Sequence, residues 1–151
     1  VWQAISDFSG VYLYCANVVS SPATWDVQRG VGATRRCELT DLGAELDERV
    51  VEWNEGTGYT FEVYDSKKAP PFKSARVSFE LAENRSGTVA MATLDYTMRH
   101  DAAGSLMDRL IVAPQFGKAF ETTLAGLKHH VETGALVDEF TELDLEVVED
   151  T

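Results

Sequence analysis

The sequence has few cysteines and few basic residues. Two cysteines among 151 residues are too few for the disulfide framework of a small secreted protein. Thirteen Lys and Arg against 25 Asp and Glu give a net charge of −12, which repels the phosphate backbone of nucleic acids. No apolar run approaches the roughly 20 residues of a membrane-spanning helix, and no signal peptide opens the sequence. We therefore expect a cytoplasmic protein with reduced thiols that neither binds nucleic acid nor inserts into a membrane.

Motifs for metal binding and nucleophilic catalysis are also missing. His129 and His130 are adjacent and point to different sides of a helix, whereas a two-ligand metal face needs a spacing of three or four. Neither Cys15 nor Cys37 has a histidine nearby in the sequence, and the glycine-rich stretch 30–32 matches no phosphate-binding pattern. The sequence therefore predicts neither a metal nor a cofactor.

The middle of the chain consists of short segments in which apolar and polar residues alternate. Turn residues separate these segments, as is typical of antiparallel strands joined into hairpins. The alternating segments are 32–39, 45–53, 59–64, 74–81 and 88–98. Because their apolar residues fall on one side, we predict an antiparallel meander with one apolar face.

Two segments with helical periodicity flank this meander. Residues 1–8 place their apolar side chains on one side, and from about 104 to 132 apolar residues recur at steps of three and four. Gly117 within the longer segment is expected to let a neighbour approach closely. One apolar helix beside one apolar sheet face is best explained by the two packing together. The predicted fold class is α+β.

Four segments resemble one known superfamily. Val1–Phe8 resembles the opening helix of the START-like (SRPBCC) superfamily, which holds polyketide cyclases/dehydrases, lipid-transport proteins, birch-pollen allergens and plant hormone receptors. Segments 30–35 and 48–53 resemble its glycine-rich strand entry and the strand that follows, and 126–128 resembles the end of its closing helix. The resemblance covers about residues 1–134. It implies a helix-grip fold, in which a curved antiparallel sheet grips the C-terminal helix around an apolar cavity.

The sequence departs from this pattern at both ends of the predicted domain. Members of the superfamily begin with a strand before the first helix, and no residues precede Val1 to form it. Either upstream residues are missing, or the acidic tail takes part, because residues 143–147 alternate like a half-buried strand. A spliced or permuted chain would look the same. We therefore divide the chain into a START-like domain, 1–134, and an acidic C-terminal extension, 135–151.

The most informative candidate site is a charged pair on the apolar face. If both apolar faces point inward, the hairpin register sets Cys37 opposite Leu46 and Arg35 opposite Glu48. A charged pair in an apolar cavity is costly to desolvate unless it is hydrogen-bonded, which favours a role in orienting a polar group of a ligand. The alternative is a structural ion pair at the sheet rim. The resemblance implies that the Glu48 position faces the cavity, while residues 17–21 lack the lysine with which hormone receptors hold a ligand carboxylate.

Aromatic residues on the predicted apolar faces form a second candidate set. Taken singly, each is simply explained as core; together they predict an aromatic-lined pocket for a flat or ring-containing ligand. The set comprises Tyr59, Phe61, Phe79, Tyr96, Phe116 and Phe120. Trp25 and Trp53 either lie at the mouth of this pocket or cap the sheet.

Three functions remain open at this level. The first is a binding or carrier protein for a small hydrophobic molecule such as a lipid, polyketide or isoprenoid-like compound. The second, which the resemblance implies, is a polyketide cyclase, aromatase or dehydratase. Its acid or base would be Glu48, Tyr59, Tyr96, His100 or Asp95, although Asp95 falls on the outward side of its strand. The third is a protein-interaction module of the chaperone-activator type, which would use the acidic segment 38–65 or the tail.

Overall fold

The computed structural model describes residues 1–99 and 113–149. In chain order its elements are α1 (Trp2–Ser6), the 3₁₀ helix η1 (Phe8–Leu13), β1 (Val18–Ser20), β2 (Thr34–Leu39), β3 (Glu45–Asn54), β4 (Gly58–Lys67), β5 (Phe72–Asn84), β6 (Gly87–Met98), α2 (Ala113–Thr133) and the 3₁₀ helix η2 (Leu145–Val147). No helix within these two ranges is long and apolar enough to cross a membrane.

The strands form one antiparallel sheet in which each strand lies beside the next in sequence, from β1 to β6. The five alternating segments correspond to β2–β6. The sequence did not predict β1, because a strand of three residues is too short to show alternation. The sheet curls into a half-barrel with α2 as its C-terminal helix, which confirms the predicted α+β helix-grip fold.

Irregular pairing accounts for part of the curvature. The register of β3 against β4 shifts between Asp47 and Glu48, and a second shift follows within the same pair of strands. An extra residue on one strand bends that strand and increases its twist. At the start of β4, a Cβ on Gly58 would lie 2.1 Å from the Phe79 carbonyl oxygen, so glycine is required for β4 and β5 to approach. These features orient the inward side chains of β3 and β4.

The hydrophobic core lies where α1, η1 and the C-terminal half of α2 meet the inward face of the sheet. Its buried members come from all of these elements. They are Ile5, Phe8, Val11, Tyr14, Cys15, Ala33, Cys37, Val50, Tyr59, Phe61, Val77, Phe79 and Leu127. The part of the predicted helix 104–132 that falls within the described residues is helical, whereas its first residues, up to 112, lie outside them.

The close approach to α2 occurs at Gly126 and not at Gly117, so the expectation for Gly117 is wrong. A Cβ on Gly117 would have no atom within 4 Å, whereas one on Gly126 would lie 2.2 Å from the Tyr14 carbonyl oxygen. The reason is that α2 packs through its C-terminal half, where Ala125, Gly126 and Leu127 are buried, while Gly117 is exposed.

The tail does not form the strand that alternation at 143–147 suggested. Residues Leu145–Val147 form η2, and the backbone N–H of Glu146 donates to Asp144 Oδ1 at 3.0 Å, which favours a local turn over extended pairing. The start of the tail is nevertheless fixed. Val137 is 2% exposed, and its N–H donates to the Leu13 carbonyl at 3.0 Å. The division into a domain and an acidic extension stays a prediction.

Candidate functional site

The predicted charged pair is formed on the buried, inward face of the sheet. Arg35 pairs with Glu48 across β2 and β3, next to Cys37 with Leu46, which confirms the predicted register. Arg35 Nε donates to Glu48 Oε2 at 2.6 Å. Arg35 is 2% exposed and Glu48 5% exposed, so the pair belongs to the interior and not to the rim of the sheet.

Arg35 also holds η1 against the sheet. Its Nη1 donates to the Phe8 carbonyl oxygen at 2.6 Å, and its guanidinium carbon lies 3.9 Å from the centre of the Phe8 ring and 4.9 Å from that of Phe61. These contacts replace much of the hydration that a buried guanidinium loses. Arg35 Nε and Nη1 both donate to protein groups. The geometry therefore favours a positioning role for Arg35 over direct contact with a ligand.

Burial and the neighbouring charges set the protonation of the groups around this pair. Burial is the largest single influence on Arg35 and would lower its pKa, but the charge of Glu48 together with the smaller effects of Cys37, Tyr59 and Tyr14 more than offsets it, and the pKa is raised. The Cys37 thiol donates to Glu48 Oε2 at 3.5 Å, and burial followed by the Glu48 charge raises its pKa. Burial also raises the pKa of Cys15, whose Sγ lies 3.2 Å from Thr123 Oγ1. Both cysteines are therefore free, protonated thiols without nucleophilic character.

Two tyrosine hydroxyls lie in the same interior. Tyr14 is 1% exposed and Tyr59 2% exposed, and neither hydroxyl has a hydrogen bond of ordinary geometry among the described residues. The two phenols are near enough to interact, and burial raises the pKa of Tyr59 to about 12 and that of Tyr14 well above its ordinary value. The sequence indicated Tyr59 through alternation. It gave no signal for Tyr14, because a residue in the irregular segment that ends η1 follows no periodicity.

Three of the predicted aromatic residues lie together in the packed core. The centre of the Tyr59 ring is 5.8 Å from that of Phe79 and 6.2 Å from that of Phe61, and Phe8 of η1 contacts both Tyr59 and Phe61. Trp53 stacks on Tyr59 at 5.5 Å. These rings form one aromatic cluster at the end of the sheet that η1 covers, which we call the closed end.

A second aromatic cluster lies at the other end of the sheet–helix interior. Phe116 of α2 is 5.3 Å from Tyr96 of β6 and 5.6 Å from Phe72 of β5, ring centre to ring centre. All three are half-buried. Sequence reasoning named Tyr96 and Phe116 but missed Phe72, because Phe72 follows two prolines, outside the alternating segment. Five of the six predicted aromatic residues are therefore divided between two clusters, with Tyr59, Phe61 and Phe79 in the first and Tyr96 and Phe116 in the second.

Between the two clusters, the inward face of the sheet keeps accessible apolar surface. Central inward positions of β2–β4, such as Cys37, Val50 and Phe61, are buried, whereas successive inward positions on β6 are only half-buried. Two half-buried residues of α2 pack against the same core. We call this set the apolar strip; it consists of Leu81, Ala90, Ala92, Leu94, Phe120 and Leu124.

The two tryptophans of the predicted mouth have different positions. Trp25 is 69% exposed in the loop before β2, whereas Trp53 is packed between Tyr59 and Trp2. Glu55 Oε2 accepts from Trp53 Nε1 at 2.8 Å and Glu55 Oε1 from Trp2 Nε1 at 3.1 Å, and these hydrogen bonds lower the pKa of Glu55. Trp53 therefore caps the sheet.

A cavity of about 360 Å³ lies beside Tyr14, at the junction of α1, η1 and the end of α2. It is lined by residues of α1, η1 and the end of α2, among them Ala4, Leu13 and His130. His130 Nδ1 lies 2.6 Å from the Ala135 carbonyl oxygen, to which it donates. Residues 1–99 and 113–149 contain no group of three or more His, Cys, Asp or Glu side chains that could hold a metal ion. Asp95 lies exposed on the outer face of β6, paired in register with Arg76; His100 lies outside the described residues.

Solved structures share this architecture. TTHA0849 from Thermus thermophilus is similar with a TM-score of 0.71 and 20% identity over 88% of each chain. XoxI from Bacillus cereus gives 0.66 and 17% identity over 87% of this chain and 85% of that one. Ginseng major latex-like protein 151 from Panax ginseng gives 0.59 and 16% over 78% and 76%. At these identities the likeness shows the fold alone.

The sequence comparisons identify the family. No curated protein sequence shows significant similarity to this chain. The family model described as "Polyketide cyclase / dehydrase and lipid transport" matches residues 1–132. That match covers most of the chain and agrees with the helix-grip architecture and with the resemblance stated from four segments. The chain belongs to the polyketide cyclase/dehydrase and lipid transport family.

Proposed function

We propose that the protein binds a small hydrophobic ligand, of lipid, polyketide or isoprenoid type, between its sheet and α2. The observation that carries the proposal is the apolar strip, in which inward-facing side chains of β6 remain half-buried opposite Phe120 and Leu124. A filled core would bury these positions as fully as Val50 and Phe61 are buried. Family membership supports the same function.

Apolar contact supplies most of the affinity in this proposal. A ligand of one or two rings that buries about 250 Å² of apolar surface gains about 6 kcal/mol at about 25 cal/mol per Å². That free energy corresponds to a dissociation constant of about 30 µM before the cost of immobilising the ligand is subtracted. Preformed walls keep this cost low, and the two aromatic clusters provide such walls at either end of the strip.

The Arg35–Glu48 pair contributes to the proposed binding by holding other residues in position. Arg35 fixes Phe8 and the start of η1, and Glu48 holds Arg35 in place. Tyr59 and Tyr96 belong to the two clusters at the ends of the strip, and in this proposal their phenols help to orient a ligand. The free thiols fit a protein of the cytoplasm.

The proposal is tested by native mass spectrometry of the purified protein, followed by denaturing extraction of any adduct. A stoichiometric apolar adduct is the expected result. Titration with N-phenyl-1-naphthylamine, a neutral fluorescent probe, provides a second test that does not depend on a co-purifying molecule. An uncharged probe avoids repulsion by the net charge of −12.

A matched pair of variants on β6 locates the binding. Leu94→Gln places an amide on the inward face and is expected to weaken probe binding about fivefold or more, because a polar group then faces apolar surface. Thr93→Gln makes a change on the exposed face of the same strand and should leave binding within twofold. If the probe does not bind the wild type, or if both variants behave alike, the proposal is wrong.

A further inference from the structure

The cavity beside Tyr14, at the junction of α1, η1 and the end of α2, has no role in the proposed function. We call it the junction cavity. Its volume of about 360 Å³ lies within the range of about 300–1,000 Å³ that small-molecule sites have. None of the described residues that line it belongs to the apolar strip. A ligand in the junction cavity would therefore be distinct from one bound at the strip.

Contacts behind its walls hold the junction cavity open. His130 Nδ1 donates to a backbone carbonyl oxygen of the tail at 2.6 Å, and the Leu13 carbonyl accepts from the Val137 N–H at 3.0 Å. Tyr14 is 1% exposed, and its carbonyl oxygen packs against Gly126. These three lining residues are thus fixed by groups that do not themselves line the cavity. Walls that are already in place lower the entropic cost of binding a ligand.

The polar groups of the lining are mainly hydrogen-bond acceptors. Asp7 Oδ1 accepts from the Ser9 hydroxyl at 3.0 Å, and among the described residues no hydrogen bond reaches Asp7 Oδ2. Because Nδ1 of His130 carries the proton that it donates to the tail, Nε2 of the neutral ring is an acceptor. Gln3 adds an amide oxygen, and no lysine or arginine side chain is among the described residues of the lining. This composition matches a ligand that donates hydrogen bonds and carries positive charge.

The remainder of the lining is apolar. It includes Ala4 of α1, Leu13 of η1 and Val131 of α2. Ala4 and Leu13 are half-buried, and Val131 is 39% exposed, so a bound molecule can still remove apolar surface from water here. The cavity therefore offers apolar contact beside a carboxylate and a neutral imidazole.

We propose that the junction cavity is a second ligand site, for a small organic amine that carries an apolar group. The ammonium pairs with the Asp7 carboxylate and donates to His130 Nε2, while the apolar group packs against Leu13 and Val131. An ammonium has three donor hydrogens and no acceptor, which suits a lining of acceptors. The net charge of −12 attracts a cation towards the protein, whereas a carboxylate ligand would be repelled by Asp7. This site does not depend on the proposed function of the apolar strip.

The experiment compares 2-phenylethylamine with 2-phenylethanol, which share the phenyl group and the two-carbon chain but differ in charge. Dissociation constants are measured by calorimetric titration. We expect the wild type to bind the amine more tightly, and Asp7→Asn to weaken amine binding about fivefold while the alcohol changes less than twofold. Asparagine keeps an oxygen that can accept from the Ser9 hydroxyl, so the start of η1 should stay folded. Asp26→Asn is the matched control, because it removes the same charge from an exposed loop and should alter neither constant.

Two further samples test the position of the ligand. Ala4→Leu fills part of the junction cavity and should weaken the binding of both compounds. Val1 also lines the cavity. Acetylation of the Val1 amino group removes a competing positive charge and should leave amine binding as strong or stronger.

The wild type alone gives an independent readout. Nuclear Overhauser effects should connect the phenyl protons of the bound amine with the methyl groups of Leu13 and Val131, which tests the inference even if a variant fails to fold. The amine should not displace N-phenyl-1-naphthylamine from the apolar strip. If the amine displaces that probe, binds no more tightly than the alcohol, or is weakened equally by Asp7→Asn and Asp26→Asn, the second site is wrong. If N-phenyl-1-naphthylamine does not bind but the amine behaves as expected, only the proposed function of the strip is wrong.

Discussion

At the scale of single residues, Arg35 joins separate parts of the molecule. It contacts Glu48 on the neighbouring strand, the backbone of Phe8 at the start of η1, and the rings of Phe8 and Phe61. A buried ion pair contributes little net stability when it is intact, but removal of one partner leaves the other charge buried without compensation. Substitution of one partner is therefore expected to lower the free energy of unfolding by much more than the intact pair contributes to it.

We expect Arg35→Gln to lower the free energy of unfolding by about 3–5 kcal/mol, since Glu48 then remains buried with its charge unpaired. Urea unfolding followed by circular dichroism measures the change. Arg49→Gln is the control: Arg49 pairs with Glu62 near the surface, where such a pair contributes about 1 kcal/mol or less. Equal losses in the two variants would contradict the assigned role of Arg35.

The buried thiols lead to a prediction about pH. Burial raises the pKa of Cys15 and Cys37 in the folded state above the value of about 8.5 that a free thiol has in the unfolded chain. The folded state then holds these protons while the unfolded state releases them, so this contribution to stability is complete below about pH 8.5 and falls as the pH rises above it. Both thiols should resist iodoacetamide at about pH 8 in the native protein and react in about 6 M urea, where the chain is unfolded. Rapid alkylation of the native protein would show that the thiols are accessible.

At the scale of elements, the contact between η1 and α2 depends on one missing side chain. The backbone of Tyr14 occupies the space that a Cβ on Gly126 would need. Tyr14 in turn follows the segment that Arg35 fixes from the sheet side. The helix and the sheet are therefore joined through η1, and the placement of the Tyr14 hydroxyl depends on this junction.

Two glycines of α2 provide a matched test. Gly126→Ala forces α2 away from η1 and is expected to destabilise the protein by about 1–3 kcal/mol, as overpacked core sites do. Gly117→Ala has free space around it and should stabilise the exposed helix by about 0.5–1 kcal/mol. Thermal unfolding of both variants measures the two opposite signs. If the signs are the same, the packing at Gly126 is not as described.

The sequence could predict those features of the fold and the site that a local pattern of residues determines. The alternation of β2 and β3 and the short turn between them were enough to set Arg35 opposite Glu48, because register follows from the inward faces and the turn length. Tyr14 and Gly126 could not be predicted in this way, since their contact joins distant segments without periodicity. The prediction of a strand in the tail failed for a related reason. Alternation at 143–147 leads to a strand only if a partner strand is available.

At the scale of the whole molecule, the beginning of the tail closes the outer side of the η1–α2 junction. Gly134 follows α2 with a positive φ, and the buried Val137 then lies beside Gly126 and donates one backbone hydrogen bond to the Leu13 carbonyl. The remaining described tail is largely exposed and acidic. The start of the tail, up to Val137, therefore contributes to stability, whereas the described residues after Val137 carry the negative charge.

Two truncations test this separation. A chain ended after Gly134 loses the buried Val137 and should lose about 2 kcal/mol of stability, the value for a fully buried valine. A chain ended after Glu142 keeps Val137 and should unfold at nearly the wild-type urea concentration. If the chain ended after Gly134 unfolds like the wild type, the tail makes no contribution to the folded domain.

The uneven burial across the sheet has a consequence for how such a protein diversifies. The β2–β4 half contains the buried pair, the closed aromatic cluster and the contacts to η1, so most substitutions there endanger folding itself. The β6 side and the facing part of α2 hold side chains that are not fully enclosed, and changes of size or shape there carry a smaller penalty. Under the proposed function, mutation could therefore reshape ligand selectivity while the scaffold stays intact, and divergent sequences could retain one architecture and bind different ligands.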